Sequence, residues 1–102
     1  MVLSKVVAFF IGKQGGRHDY KKMEIKIPSG LDPSTIALFI QTASQYESKV
    51  YVEVENKRVN AKSIMGMMTL GLPAGEEITV IADGNDETQA IEHIDKYLSN
   101  EN

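Results

Sequence analysis

The chain has 102 residues, 42% apolar and 25% charged, with a formal net charge of −3, enough for one domain around a modest core. The acidic balance gives no reason to expect nucleic-acid binding, which needs a basic patch that outweighs the acids. Cysteine is absent, which excludes disulfides, thiolate metal sites and cysteine nucleophiles and suits a reducing cytoplasm.

Residues 1–19 read as an N-terminal extension. Val2, Leu3, Val6, Val7, Phe10 and Ile11 fall at helical spacing, while their β-branched and aromatic character equally permits a strand. The run Val6–Ile11, with Lys5 before it, is too short to cross a bilayer and lacks the second basic residue and the small-residue cleavage site of a signal peptide. It is expected to pack on a hydrophobic surface. Lys13-Gln14-Gly15-Gly16 is a turn or linker. The domain proper, residues 20–102, opens with a strand in which Met23, Ile25 and Ile27 alternate with Lys22, Glu24 and Lys26, and Pro28-Ser29-Gly30 ends it.

Asp32-Pro33 then starts a helix: the carboxylate caps free N–H groups, and proline suits the first helical position. Ile36, Phe39, Ile40 and Ala43 form its apolar face, with Leu38 and Tyr46 on the flanks. Val50, Val52 and Val54 alternate with Tyr51, Glu53 and Glu55 in a second strand, and Glu55-Asn56-Lys57 turns into a third, Arg58 to Ala61. Ser63 is a good N-cap for a short helix holding Ile64, Met65, Met67 and Met68, closed by Gly71 and Pro73. Methionine is flexible and polarisable, so this helix is either pinned to a sheet or a docking patch beside a modifiable serine. Pattern does not choose between the two. Ile78 to Ala82 is an apolar strand. Asp83-Gly84-Asn85-Asp86 turns and caps a last helix, where Ala90, Ile91, Ile94, Tyr97 and Leu98 line one face and Glu87, Glu92, Asp95 and Lys96 the other.

The order β-α-β-β-α-β-α argues for an α+β fold, helices stacked on one face of a mostly antiparallel sheet. The two histidines, His18 and His93, are far apart in sequence, so neither a metal site nor a cofactor is expected. His93 falls on a mainly polar helix face and is expected to be exposed and idle.

From about residue 20 to 100 this succession resembles the HPr family, the phosphocarriers of the bacterial sugar phosphotransferase system, and its regulatory Crh branch. Lys62-Ser63-Ile64-Met65-Gly66-Met67-Met68-Thr69-Leu70-Gly71 is similar to the family's regulatory-serine segment almost residue for residue. Gln41-Thr42-Ala43-Ser44 and Ala82-Asp83-Gly84-Asn85-Asp86-Glu87 are similar to further landmarks. The resemblance implies an open-faced β-sandwich, a four-stranded antiparallel sheet with three helices on one side.

The chemical centre departs from the family. Its helix-opening motif, Gly-(Ile/Leu)-His-Ala-Arg-Pro, carries the phosphoryl-accepting histidine and an arginine that holds the phosphoryl group. Here the stretch reads Gly30-Leu31-Asp32-Pro33-Ser34-Thr35, with Asp32 at the histidine position and Ser34 at the arginine position. Crh also lacks the histidine and keeps the serine. There the resemblance implies phosphorylation by HPr kinase/phosphorylase and action as corepressor for the regulator CcpA in carbon catabolite regulation. By position the target is Ser63, with Ile64, Met65 and Met68 as the docking surface.

The leading expectation is therefore a non-enzymatic, cytoplasmic, partner-binding regulator with Ser63 as its switch. One alternative is a phosphocarrier that uses Asp32 and works with phosphotransferase-system enzymes, since carboxylates can carry phosphate. Another is an oligomerising derivative in which residues 1–19 add a strand or helix to a dimer interface.

Overall fold

The computed structural model describes residues 19–100; the expectations for residues 1–18, including His18, lie outside the described residues. Seven elements follow in the expected order: β1 (Asp19–Glu24), α1 (Pro33–Ser44), β2 (Lys49–Val54), β3 (Lys57–Asn60), α2 (Ile64–Met68), β4 (Glu77–Asp83) and α3 (Glu87–Leu98). The strands form one antiparallel sheet in the order β1-β4-β2-β3. With three helices against it, this is the expected α+β open-faced sandwich.

The core follows from the two periodicities of the sequence. Val50 and Val52 on β2, and Ile78, Val80 and Ala82 on β4, are buried because alternate residues of a strand share a face. Val52 lies opposite Val80, Val50 opposite Ala82 and Met23 opposite Ile78. Ile36, Phe39 and Ala43 of α1 meet this layer together with Ala90, Ile91, Ile94 and Leu98 of α3. Phe39 and Tyr97 pack edge to face, ring centroids 6.5 Å apart, and the Tyr97 hydroxyl donates to the Thr35 carbonyl at 3.1 Å, tying α3 to the first turn of α1. The opposite face carries Tyr20, Ile81 and Tyr51 in one row, with the Arg58 guanidinium 4.5 Å from the Tyr51 ring centroid.

Three details differ from the sequence expectation. First, β1 spans Asp19–Glu24, earlier than the Met23–Ile27 alternation suggests. Beyond Glu24 the backbone turns to other partners: the Ile25 N–H donates to the Glu76 carbonyl and that of Lys26 to the Leu98 carbonyl. Ile25 is buried all the same. Second, the β2–β3 turn is the two residues Glu55-Asn56, since Val54 faces Lys57, and Glu55 has φ +54°. Third, Asp86 does not cap α3 with its side chain. Its backbone (φ −110°, ψ 29°) is not the extended one that aims a cap side chain at the helix N–H groups. Its carboxylate instead accepts from the Glu47 N–H, the Ser48 N–H and the Ser48 hydroxyl. Glu87 closes the turn, accepting from the Gly84 N–H at 3.1 Å.

Candidate functional site

Two helix entrances and the groove beside them make up the site. At α1, Asp32 holds an extended backbone (φ −82°, ψ 175°) with Pro33 directly inside the helix. One carboxylate oxygen accepts from the Thr35 N–H at 2.9 Å and from the Ser34 hydroxyl at 3.1 Å. The Thr35 N–H, then the hydroxyls of Thr35, Ser34 and Ser29, hold this carboxyl below the ordinary 3.8, because each donor favours the charged form. At neutral pH Asp32 is therefore an anion, with one of its oxygens engaged by its own helix. Ser34, at the position where the resemblance expects arginine, only supports that cap.

Asp32 opens onto a groove of about 360 Å³ lined by Ser29, Leu31, Pro33, Ile36, Met68 and the segment Gly71-Leu72-Pro73. No lysine or arginine is among the residues lining it. Its two walls are joined by backbone. The Leu31 N–H donates to the Leu72 carbonyl, and Gly30, at φ +68°, lies so close that a Cβ would stand 2.6 Å from that same oxygen. Only glycine meets both demands.

At α2, Ser63 is extended (φ −108°, ψ 117°) and its hydroxyl oxygen accepts from the Gly66 N–H at 3.3 Å. The expected N-cap is present. Gly66 faces Val59 and the Asn60 carbonyl, where an added Cβ would meet only ordinary contact distances. A five-residue helix can bury only one side. Met67 goes fully inside, while Met65 (79% exposed), Ile64 (55%) and Met68 (51%) stay outside. These three are the residues named above as a docking surface, and Leu38 of α1 is also exposed. Met68 lines the groove with Asp32, whereas Ser63, at the other end of α2, does not.

His93 differs from its expectation. It is half-buried, and its Nδ1 lies 2.7 Å from the Tyr46 hydroxyl. The backbone carbonyl of Tyr46 in turn accepts from the Lys62 ammonium at 2.6 Å. The imidazole thus links α3 to the end of α1 instead of standing idle in water. The other contact missed in the sequence is Asp86 with Ser48, which are 38 residues apart, and no local pattern marks such a pair. Among the described residues, no group of three or more His, Cys, Asp or Glu could hold a metal ion, and no helix is long and apolar enough to cross a membrane.

Comparison with known proteins gives one family. The family model "PTS HPr component phosphorylation site" matches residues 20–100. The HPr-like protein Crh of Halalkalibacterium halodurans is 42% identical over 81 residues, which are 79% of this chain and 96% of that protein. Among solved structures, a phosphocarrier protein HPr from Bacillus anthracis superposes with a TM-score of 0.77 at 34% identity, covering 79% of this chain and 96% of that one. Crh of Bacillus subtilis, solved as a dimer with a swapped domain, gives 0.67 at 43% identity over 79% of this chain and 93% of that one.

Proposed function

The chain belongs to the HPr family and is Crh-like, and from that premise we propose that it is a non-catalytic, cytoplasmic regulator that acts by binding protein partners. Ser63 is its phosphorylation switch, and Ile64, Met65 and Met68 form its contact surface. The partners are an HPr kinase/phosphorylase and a CcpA-like regulator. As read from the sequence, residues 1–19 are an N-terminal extension and residues 20–102 the HPr-like domain.

The observation that carries this reading is the state of Asp32. The residue at the carrier position is a carboxylate already hydrogen-bonded as a helix cap, beside a groove whose lining offers no cation to a phosphoryl group. Phosphoryl transfer needs such a positive partner for the transferred charge. Ser63, by contrast, uses its oxygen only to accept one long hydrogen bond. A phosphate oxygen can accept in its place, so modification need not cost the cap. The exposed thioethers beside it suit a partner whose surface changes with the switch.

Intact-mass spectrometry tests this after two incubations, one with phosphoenolpyruvate and enzyme I, the other with ATP and HPr kinase/phosphorylase. One added phosphate in the second only, lost in Ser63→Ala, is expected. Phosphate in the first, lost in Asp32→Asn, would make the chain a carrier and overturn the reading.

A further inference from the structure

Sulfur in this chain is carried by methionine alone, since cysteine is absent. The thioethers are therefore its groups most open to a peroxide. Four methionines lie among the described residues, Met23, Met65, Met67 and Met68, and the fold divides them into two pairs. Met67 has no exposed surface and Met23 is 3% exposed, whereas Met65 is 79% and Met68 51% exposed. Met65, Met67 and Met68 share one helix of five residues. Met67 belongs to the buried core, so an oxidant reaches it only when the helix opens. Met65 and Met68 meet solvent in the folded chain.

Their neighbours make oxidation consequential. Of the five large apolar side chains exposed among the described residues, Ile64, Met65 and Met68 are on α2 and Leu38 is on α1, which packs against it. Half of this patch is thioether. A sulfoxide replaces a soft apolar sulfur with a strong hydrogen-bond acceptor, which a partner could bury only by supplying a donor that the reduced side chain never needed. The core is indifferent to the change, because it holds Met67 and not these two. Met68 also lines the groove with Asp32, so its oxidation carries the new polarity into that groove.

We propose that Met65 and Met68 are a reversible oxidation site that removes the apolar character of the α2 patch while the fold stays intact. The oxidant is a peroxide. A sulfur lone pair attacks one peroxide oxygen, the S–O bond forms as the O–O bond breaks, and the proton of the transferred oxygen passes to the departing hydroxide. Each turnover gives one sulfoxide and one water, sulfur losing the two electrons that the peroxide gains. A thiol-dependent sulfoxide reductase reverses the step. The consequence for binding rests on the contact surface proposed above, but the site itself does not depend on Ser63.

Peptide mass mapping of the full, folded chain during exposure to dilute hydrogen peroxide tests the assignment. Met65 is expected to gain an oxygen first and Met68 next, both on the order of tenfold or more faster than Met67 and Met23, with the four rates converging in urea. Retention on a hydrophobic-interaction column is expected to fall while the urea midpoint stays level. Calorimetric affinity for HPr kinase/phosphorylase is expected to drop about tenfold and to return after treatment with methionine sulfoxide reductase. Met65→Leu/Met68→Leu should keep its retention and its affinity through the same peroxide treatment. Oxidation of Met67 as fast as Met65, an unfolded product, or a doubly oxidised chain with unchanged retention would each overturn the proposal. If the reduced chain does not bind the kinase, the partner reading above fails, and the order of oxidation with the change in retention still decides this one.

Discussion

Gly30 is the residue on which the geometry of the groove depends. Its φ of +68° belongs to the left-handed region, and the Leu72 carbonyl, the Ala74 N–H and the Pro73 Cα crowd the space where a side chain would start. All three are backbone, so the neighbour cannot swing aside as a flexible side chain would. Gly30→Ala is expected to lose about 2–4 kcal/mol, combining the conformational cost with overpacking. Urea unfolding measures that loss directly. A change within about 0.5 kcal/mol, the range of ordinary surface substitutions, would show that the loop can separate from the α2–β4 connection. Gly84 is the companion case, since a Cβ there would stand 2.6 Å from Ser48.

The same scale shows what the sequence discloses about the site and what it hides. Asp32 before Pro33, and Ser63 before a short apolar block, announce themselves as caps because a cap and its N–H lie within three residues. Asp86 looks equally like a cap, yet its carboxylate belongs to Glu47 and Ser48. Only the arrival of β4 beside β2 brings them together. His93 and Tyr46, 47 residues apart, are hidden for the same reason. Sequence patterns report the faces of elements, and contacts made across the fold leave no periodic trace.

At the scale of an element, α2 divides its work between neighbouring methionines. Met67 is fully buried and Met65 is largely in solvent, so truncating one or the other should separate stability from binding. Met67→Ala is expected to cost about 2–5 kcal/mol of folding stability through the cavity it leaves. Met65→Ser should stay within about 0.5 kcal/mol of the parent in stability and weaken partner binding by about tenfold if it sits at the centre of the contact. Denaturant titration and calorimetric binding to the kinase measure the two effects independently. Equal stability losses in both variants would mean that α2 is not oriented as described. The β2–β3 hairpin offers a second check on an element. Glu55 holds φ +54° in a two-residue turn, where glycine is the ordinary occupant. Glu55→Gly should raise stability by about 0.5 kcal/mol, the relief at Glu55 being partly offset by the freer unfolded chain.

For the whole molecule, two carboxylates hold the ends of elements, one locally and one across the fold. Asp32 holds the entrance of α1, and Asp86 holds the loop between α1 and β2 against the turn between β4 and α3. Both sit below their ordinary 3.8, Asp86 chiefly through the Ser48 hydroxyl and the Glu47 N–H. A depressed folded value means that the unfolded chain binds protons more readily, so acid favours unfolding. This stabilisation is complete above the unfolded value and is lost as pH falls through the folded one. At the alkaline end, burial raises the Tyr97 phenol above 10.0. Its contribution is therefore full below the unfolded value and disappears as pH rises through the folded one. Urea midpoints should be level from about pH 5 to 9 and fall on either side. Asp86→Asn should lower the plateau and flatten the acid limb, its curve meeting the parent's where both carboxyls are protonated. Two acid limbs running parallel down to pH ~2, well below the ordinary carboxylate range, would show that Asp86 does not titrate with unfolding. The link between the α1–β2 loop and the α3 turn would then rest on the packing of Gly84 against Ser48.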